Sequence, residues 1–139
     1  MTGNPVTFLS PDQARQLVEM AERARAELSR FAGHPVGYDA TALQLLDEWV
    51  ERTPAPSPAL RVLWTAFLGE MFRRRLGGEW ITHQEDGKRL AVLCPTETGG
   101  VRHVEVADQI GRRITNGVTD SLALFYARES ALLRQPAEL

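Results

Sequence analysis

The sequence predicts a single α+β domain over residues 1–139: N-terminal helices, a central buried helix, a three-stranded antiparallel sheet and a closing C-terminal helix. Three observations carry that expectation. Residues 10–52 repeat apolar side chains at helical spacing, residues 58–76 are apolar nearly all round, and residues 79–106 change to short extended runs broken by turn residues. Helices followed by strands, without regular alternation, suit an antiparallel sheet with helices on one side.

Met1 to Leu9 carries no pattern and is expected to be a loose arm. Ser10-Pro11-Asp12-Gln13 then reads as a helix start. Ser10 can cap, Pro11 suits the first helical position, and Gln13 completes a capping box. On a helical wheel Ala14, Leu17, Met20, Ala21, Ala24, Leu28, Phe31 and Ala32 form one stripe, with Glu19, Glu22, Arg23, Glu27 and Arg30 opposite. Gly33 is the natural stop.

Asp39 can cap a second helix over about 40–52, whose stripe is Ala42, Leu43, Leu46, Trp49 and Val50. The prolines of Thr53-Pro-Ala-Pro-Ser-Pro58 break it and make a stiff link inside one domain. Ser57-Pro58 repeats the cap-then-proline signal and opens the central helix, about 58–76. A helix so apolar is a buried one. Gly69 inside it costs about 1 kcal/mol relative to alanine, which points to close approach by another element. Gly77-Gly78 ends the helix.

Glu79 to Gln84 and Arg89 to Cys94 flank Glu85-Asp86-Gly87-Lys88, which has the Asp-Gly signature of a tight hairpin. Val101 to Val106 supplies the third strand. A short helix is expected over Ala107 to Thr115, ended by Asn116-Gly117. The last helix, about 119–134, places Leu122, Phe125, Tyr126, Leu132 and Leu133 on one stripe, and residues 135–139 are expected to fray.

Composition narrows function mainly by exclusion. The net charge of −2 provides no global field for nucleic acid. No run approaches the ~18 apolar residues of a membrane span, and no secretory signal is visible at the start. One cysteine, Cys94, excludes an internal disulfide framework and a multi-cysteine zinc site. Lys88 is the only lysine among the cations, an arginine bias that reads as a GC-rich bacterial genome. A cytoplasmic bacterial protein is the expectation.

Three groups of residues could carry chemistry. Arg73-Arg74-Arg75 complements the helix dipole at its C-terminus, and Glu70 lies one turn earlier as an ion-pair partner. Neighbouring helical residues point 100° apart, so the three guanidinia cannot grip one ligand together. His83, Cys94, His103 and Glu105 could share one sheet face if the hairpin turns at Asp86-Gly87, which sets His83 opposite Leu90 and His103 near Val92. In that arrangement the histidines stand on outer strands about 9–10 Å apart, too far for one zinc ion with nitrogens at about 2 Å. No metal is expected there; Cys94 next to His103 is geometrically possible as a nucleophile pair, but a lone cysteine in an apolar strand reads as inert core. Glu129 falls within the apolar stripe of the last helix and is expected to meet an arginine. The pairs Gly77-Gly78 and Gly99-Gly100 lack the strand-to-helix context of a phosphate loop.

Leu68-Gly-Glu-Met-Phe-Arg-Arg-Arg-Leu-Gly-Gly-Glu-Trp80, followed by Gly117-Val-Thr-Asp-Ser-Leu-Ala-Leu-Phe-Tyr126, resembles a group of uncharacterised bacterial domains of unknown function. The resemblance spans about residues 60–130. It implies a small α+β domain and transfers no catalytic residue.

These readings lead to a non-enzymatic interaction module, accessory or inhibitor-like, that binds another protein. No catalytic residue, cofactor, nucleic acid or membrane is expected. The contact residues would be Arg73, Arg74, His83, His103 and Glu105. The alternative is a small-molecule-binding protein or minor enzyme whose pocket, between the sheet and the last helix, is lined by Cys94, Tyr126, Glu129 and His103.

Overall fold

The computed structural model describes residues 6–83 and 89–134. Three helices come first: α1 (Pro11–Ala32), α2 (Ala40–Glu51) and α3 (Pro58–Leu76). Each begins where its cap signal stands. Ser10 and Gln13 form the reciprocal capping box, Asp39 accepts from Ala42 N and Ser57 from Leu60 N. Both α1 and α3 end on a glycine in the left-handed region, Gly33 and Gly77.

Among the described residues the sheet has four antiparallel strands, one more than expected. Its order is β1 (Val6–Phe8), β2 (Glu79–His83), β3 (Arg89–Pro95) and β4 (Val101–Val104). Part of the supposed loose arm is therefore structured: Val6, Thr7 and Phe8 pair with His83, Thr82 and Ile81. Three residues are too few to show alternation, and pairing with the free edge of β2 is what makes them a strand. Residues 1–5, the Asp86-Gly87 turn and the tail 135–139 lie outside the described residues.

After β4 the chain turns into α4 (Val106–Asn116), a 3₁₀ turn over Gly117–Asp120, and α5 (Leu122–Leu133). The third strand thus stops at Val104, two residues earlier than expected, and the last helix starts three residues later. Asp47 of α2 explains that start. Its carboxylate accepts from the amides of Leu122 and Ala123 at 2.8 and 3.0 Å and from Ser121 Oγ at 2.9 Å. Unpaired first-turn amides and the positive helix end both favour a carboxylate there. Arg113 of α4, only 2% exposed, closes the arrangement with bonds to Asp47 and Glu51.

Helix α3 is the centre. Nine consecutive residues, Trp64 to Phe72, are buried, as its all-round apolar pattern requires. Leu17, Ala21, Ala24 and Leu28 of α1 and Ala42, Leu43, Leu46 and Val50 of α2 are buried in the same core. The sheet presents Trp80, Val92, Cys94 and Val104 to that core. Ile81 and Ala91 are fully buried but alternate onto the opposite, outer face. On α5, Leu122, Phe125, Tyr126 and Leu133 are buried, whereas Leu132, expected on the same stripe, is 44% exposed.

Candidate functional site

The five expected contact residues fall into two groups on different parts of the fold. Arg73 and Arg74 belong to a buried polar cluster around Glu70, whose side chain is fully enclosed. Arg73 donates to both Glu70 oxygens at 2.6 and 2.9 Å, Arg74 donates at 2.8 Å, and Trp80 Nε1 at 2.9 Å. Burial alone would raise the Glu70 pKa. The hydrogen bonds from Arg73, Arg74 and Trp80 outweigh it and hold the carboxyl below its usual range. Arg74 also stacks over Tyr38 at 4.1 Å, and the Tyr38 hydroxyl donates to Glu22 at 2.6 Å.

The remaining motif residues serve the same cluster. A Cβ on Gly69 would penetrate the six-membered ring of Trp80, with Cζ3 at 2.7 Å. A side chain on Gly78 would meet Cys94 Sγ at 2.9 Å and crowd Val92. Gly77 supplies the left-handed turn at φ +73°. The stretch from Leu68 to Trp80 therefore works as a clasp between α3 and β2. Replacing Arg73 and Arg74 with glutamate would set two new carboxylates beside a buried one, so that exchange would unfold the clasp and cannot report partner binding.

The second group lies on the outer sheet face, and here the register differs from expectation. His83 pairs with Arg89 and His103 with Leu93. Arg89 thus takes the place opposite His83 that a two-residue Asp-Gly turn would give to Leu90, a register one residue away from the expected one. A slip of one residue turns side chains to the other face. Cys94, opposite Arg102, accordingly faces the helical core, away from both histidines. Burial, then the charge of Glu129, pushes its thiol up to about 12. A Cys94–His103 nucleophile pair is excluded by geometry.

The expectation that the two histidines are too far apart is also corrected. Their ring centroids are 5.6 Å apart. In register, the diagonal from His83 to His103 crosses position 91 of β3, where alanine offers only a methyl group, and sheet twist folds the diagonal corners together. Glu105 stands at the N-cap position of α4 but makes no side-chain cap. Its carboxylate turns to His83 Nε2 instead, at 2.8 and 3.0 Å. His83 is buried, Glu105 half-buried and His103 exposed, and one ligand atom from each lies within 4.8 Å of the other two.

Of the alternative pocket residues, Cys94, Tyr126 and Glu129 are engaged within the fold, and His103 stands on the opposite sheet face from Cys94. Arg102 of β4 forks onto Glu129 at 2.6 and 3.1 Å, the arginine partner expected for that carboxylate. The Tyr126 ring packs edge-on against Phe72 at 5.0 Å. A cleft of about 360 Å³ lies elsewhere, between β1 and the start of α1, lined by Leu9, Leu17, Met20, Val62, Thr82 and Leu90 among others. Sequence reasoning missed it because Thr7, Phe8 and Leu9 form one wall only through β1 pairing. It also missed Asp47 and Arg113, which are 66 residues apart and carry no local motif.

Among the described residues, no helix is long and apolar enough to cross a membrane. Comparison with protein-family models, curated proteins and solved structures found nothing that matches this chain.

Proposed function

We propose that the chain is a non-enzymatic bacterial interaction module, accessory or inhibitor-like, acting in the cytoplasm on another protein through the exposed rim of the outer sheet face, whose centre at Ile81 and Ala91 is already buried. The observation that carries this reading is the distribution of uncommitted side chains. Arg73, Arg74, Arg102 and Arg113 are consumed by carboxylates within the fold. The outer face instead leaves His103 exposed, together with Phe8 at 53% and Val101 at 63% exposure. The register places Phe8 on the side of Ile81, and Val101 on the side of His103. Phe8 and Val101 stand on the two opposite edge strands, so a partner that touches both would span the face.

The test is capture of a partner from host lysate by the wild-type protein and by a Phe8→Glu/Val101→Glu variant shown folded by circular dichroism. Loss of one stoichiometric partner in the variant supports the reading, and an unchanged partner refutes it. A second reading places a small apolar ligand in the 360 Å³ cleft, a volume within the usual range of ligand sites. A compound retained by the purified protein in native mass spectrometry, with no protein partner captured, would favour it.

A further inference from the structure

We infer that His83, His103 and Glu105 form a binding site for a divalent transition-metal ion of the zinc class. The inference rests on these three side chains and is independent of any partner. Two imidazoles and one carboxylate are a donor set suited to zinc and to non-haem iron(II). They come from three elements: the end of β2, the body of β4 and the first residue before α4. Residues so far apart in sequence converge only through the strand register and the small residue at position 91.

The geometry between His83 and Glu105 is close to that of two ligands on one ion. Ligand atoms at about 2.1 Å from a tetrahedral zinc stand roughly 3–3.5 Å from each other. His83 Nε2 and the Glu105 oxygens, at 2.8 and 3.0 Å, share a proton where the ion would sit, and must part by only a few tenths of an ångström. Among the described residues, the Nδ1 atom of His83 is buried with no hydrogen-bond partner. An ion on Nε2 places the ring proton on Nδ1, where no acceptor among the described residues meets it, a desolvation cost that the metal bonds must exceed. His103 is the farther ligand, within the 4.8 Å envelope, and small χ adjustments inside one rotamer well can bring its exposed ring inward by about 1 Å. Glu105 has forgone its capping role, so no helix amide competes for the carboxylate.

The surrounding charges permit a cation. Arg89, opposite His83 in the ladder, is paired with Asp108 at 3.3 Å, and Glu105 itself neutralises half of a dipositive ion. Three protein ligands with His103 at the surface leave a fourth position facing solvent. That is the open form, with the fourth position free for water or an external ligand, because structural zinc sites fill all four positions with protein.

The experiment uses the full chain freed of metal with a chelator and titrated with Co²⁺, then Zn²⁺. The expected result is one equivalent of cobalt with the visible bands of low-coordinate Co²⁺, discharged by one equivalent of zinc. His103→Ala and Glu105→Gln, both at positions that solvent reaches, should each weaken binding by more than about 100-fold, beyond the 10–100-fold that loss of an outer-shell group costs. His34→Ala, at the chain's third histidine, should leave binding unchanged. Circular dichroism confirms that each variant is folded. Absence of a cobalt spectrum in the wild-type protein, or stoichiometric binding that survives His103→Ala, would overturn the site.

Discussion

Gly69→Ala opposes two effects of known size, and the structure decides which wins. In an exposed helix the change would stabilise by about 1 kcal/mol. At Gly69 the new methyl lands inside the Trp80 ring, against Cη2, Cζ2 and Cζ3. The ring is 3% exposed and pinned by Nε1 to the buried Glu70 carboxylate. Moving it forfeits a hydrogen bond to a charged group, about 1.5–3 kcal/mol, and repacking a filled core adds about 1–3 kcal/mol. Net destabilisation should be about 2–4 kcal/mol, a fall in melting temperature on the order of 10 °C for a chain of this length. Urea denaturation of four proteins measures it: wild type, Gly69→Ala, Trp80→Phe and the double variant. Phenylalanine removes the outer ring that clashes, so in that background Gly69→Ala should be neutral or stabilising. Equal cost in both backgrounds, or a stabilised single variant, would refute the clasp.

Two further outcomes follow from the same packing. Because the Glu70 pKa is lowered on folding, its contribution is present above the ordinary carboxyl range and lost as pH falls through the folded value. Glu70→Gln should be less stable than wild type by about 2–3 kcal/mol at pH 7. That is just below the 3–5 kcal/mol of a broken buried pair, because Arg73 and Arg74 are a third exposed and can be hydrated. The difference should shrink below about pH 4, and a gap constant from pH 7 to 3 in urea titrations would refute this account. Cys94, with its thiol pushed up to about 12 and its side chain in the core, should resist a thiol-specific reagent at pH 8 until the protein unfolds. Rapid labelling of the native protein would contradict the face assigned to it.

What the sequence disclosed was local. Ser10, Asp39, Ser57, Gly33 and Gly77 mark helix ends through chemistry confined to one turn, and each helix end stands where its signal does. Gly69 was legible as a point of close approach, since a glycine in a buried helix needs such a reason. Its partner, Trp80, was not. Glu129 was legible as a paired carboxylate because it interrupts an apolar stripe. The outer-face cluster is half legible: the sequence pattern puts His83, His103 and Glu105 on one face, as they stand in the fold, but a register one residue out adds Cys94 to them. Their true separation depends on sheet twist and on the alanine between them, neither of which a ladder drawn flat contains. Strand β1 was invisible because three residues acquire a strand's identity only from their neighbour.

The two polar clusters also set the order in which this chain can assemble. Trp80 reaches Glu70 across ten residues, whereas Arg113 reaches Asp47 across 66. Loop-closure entropy grows with the logarithm of that separation, so the longer closure costs about 1.7 kcal/mol more. The α3–β2 clasp can therefore close while the chain is otherwise open, giving the sheet a first strand already attached to the central helix. The Asp47 cluster closes only once α2, α4 and α5 have found one another. Damage to the clasp should accordingly slow folding, while damage to the Asp47 cluster should chiefly hasten unfolding.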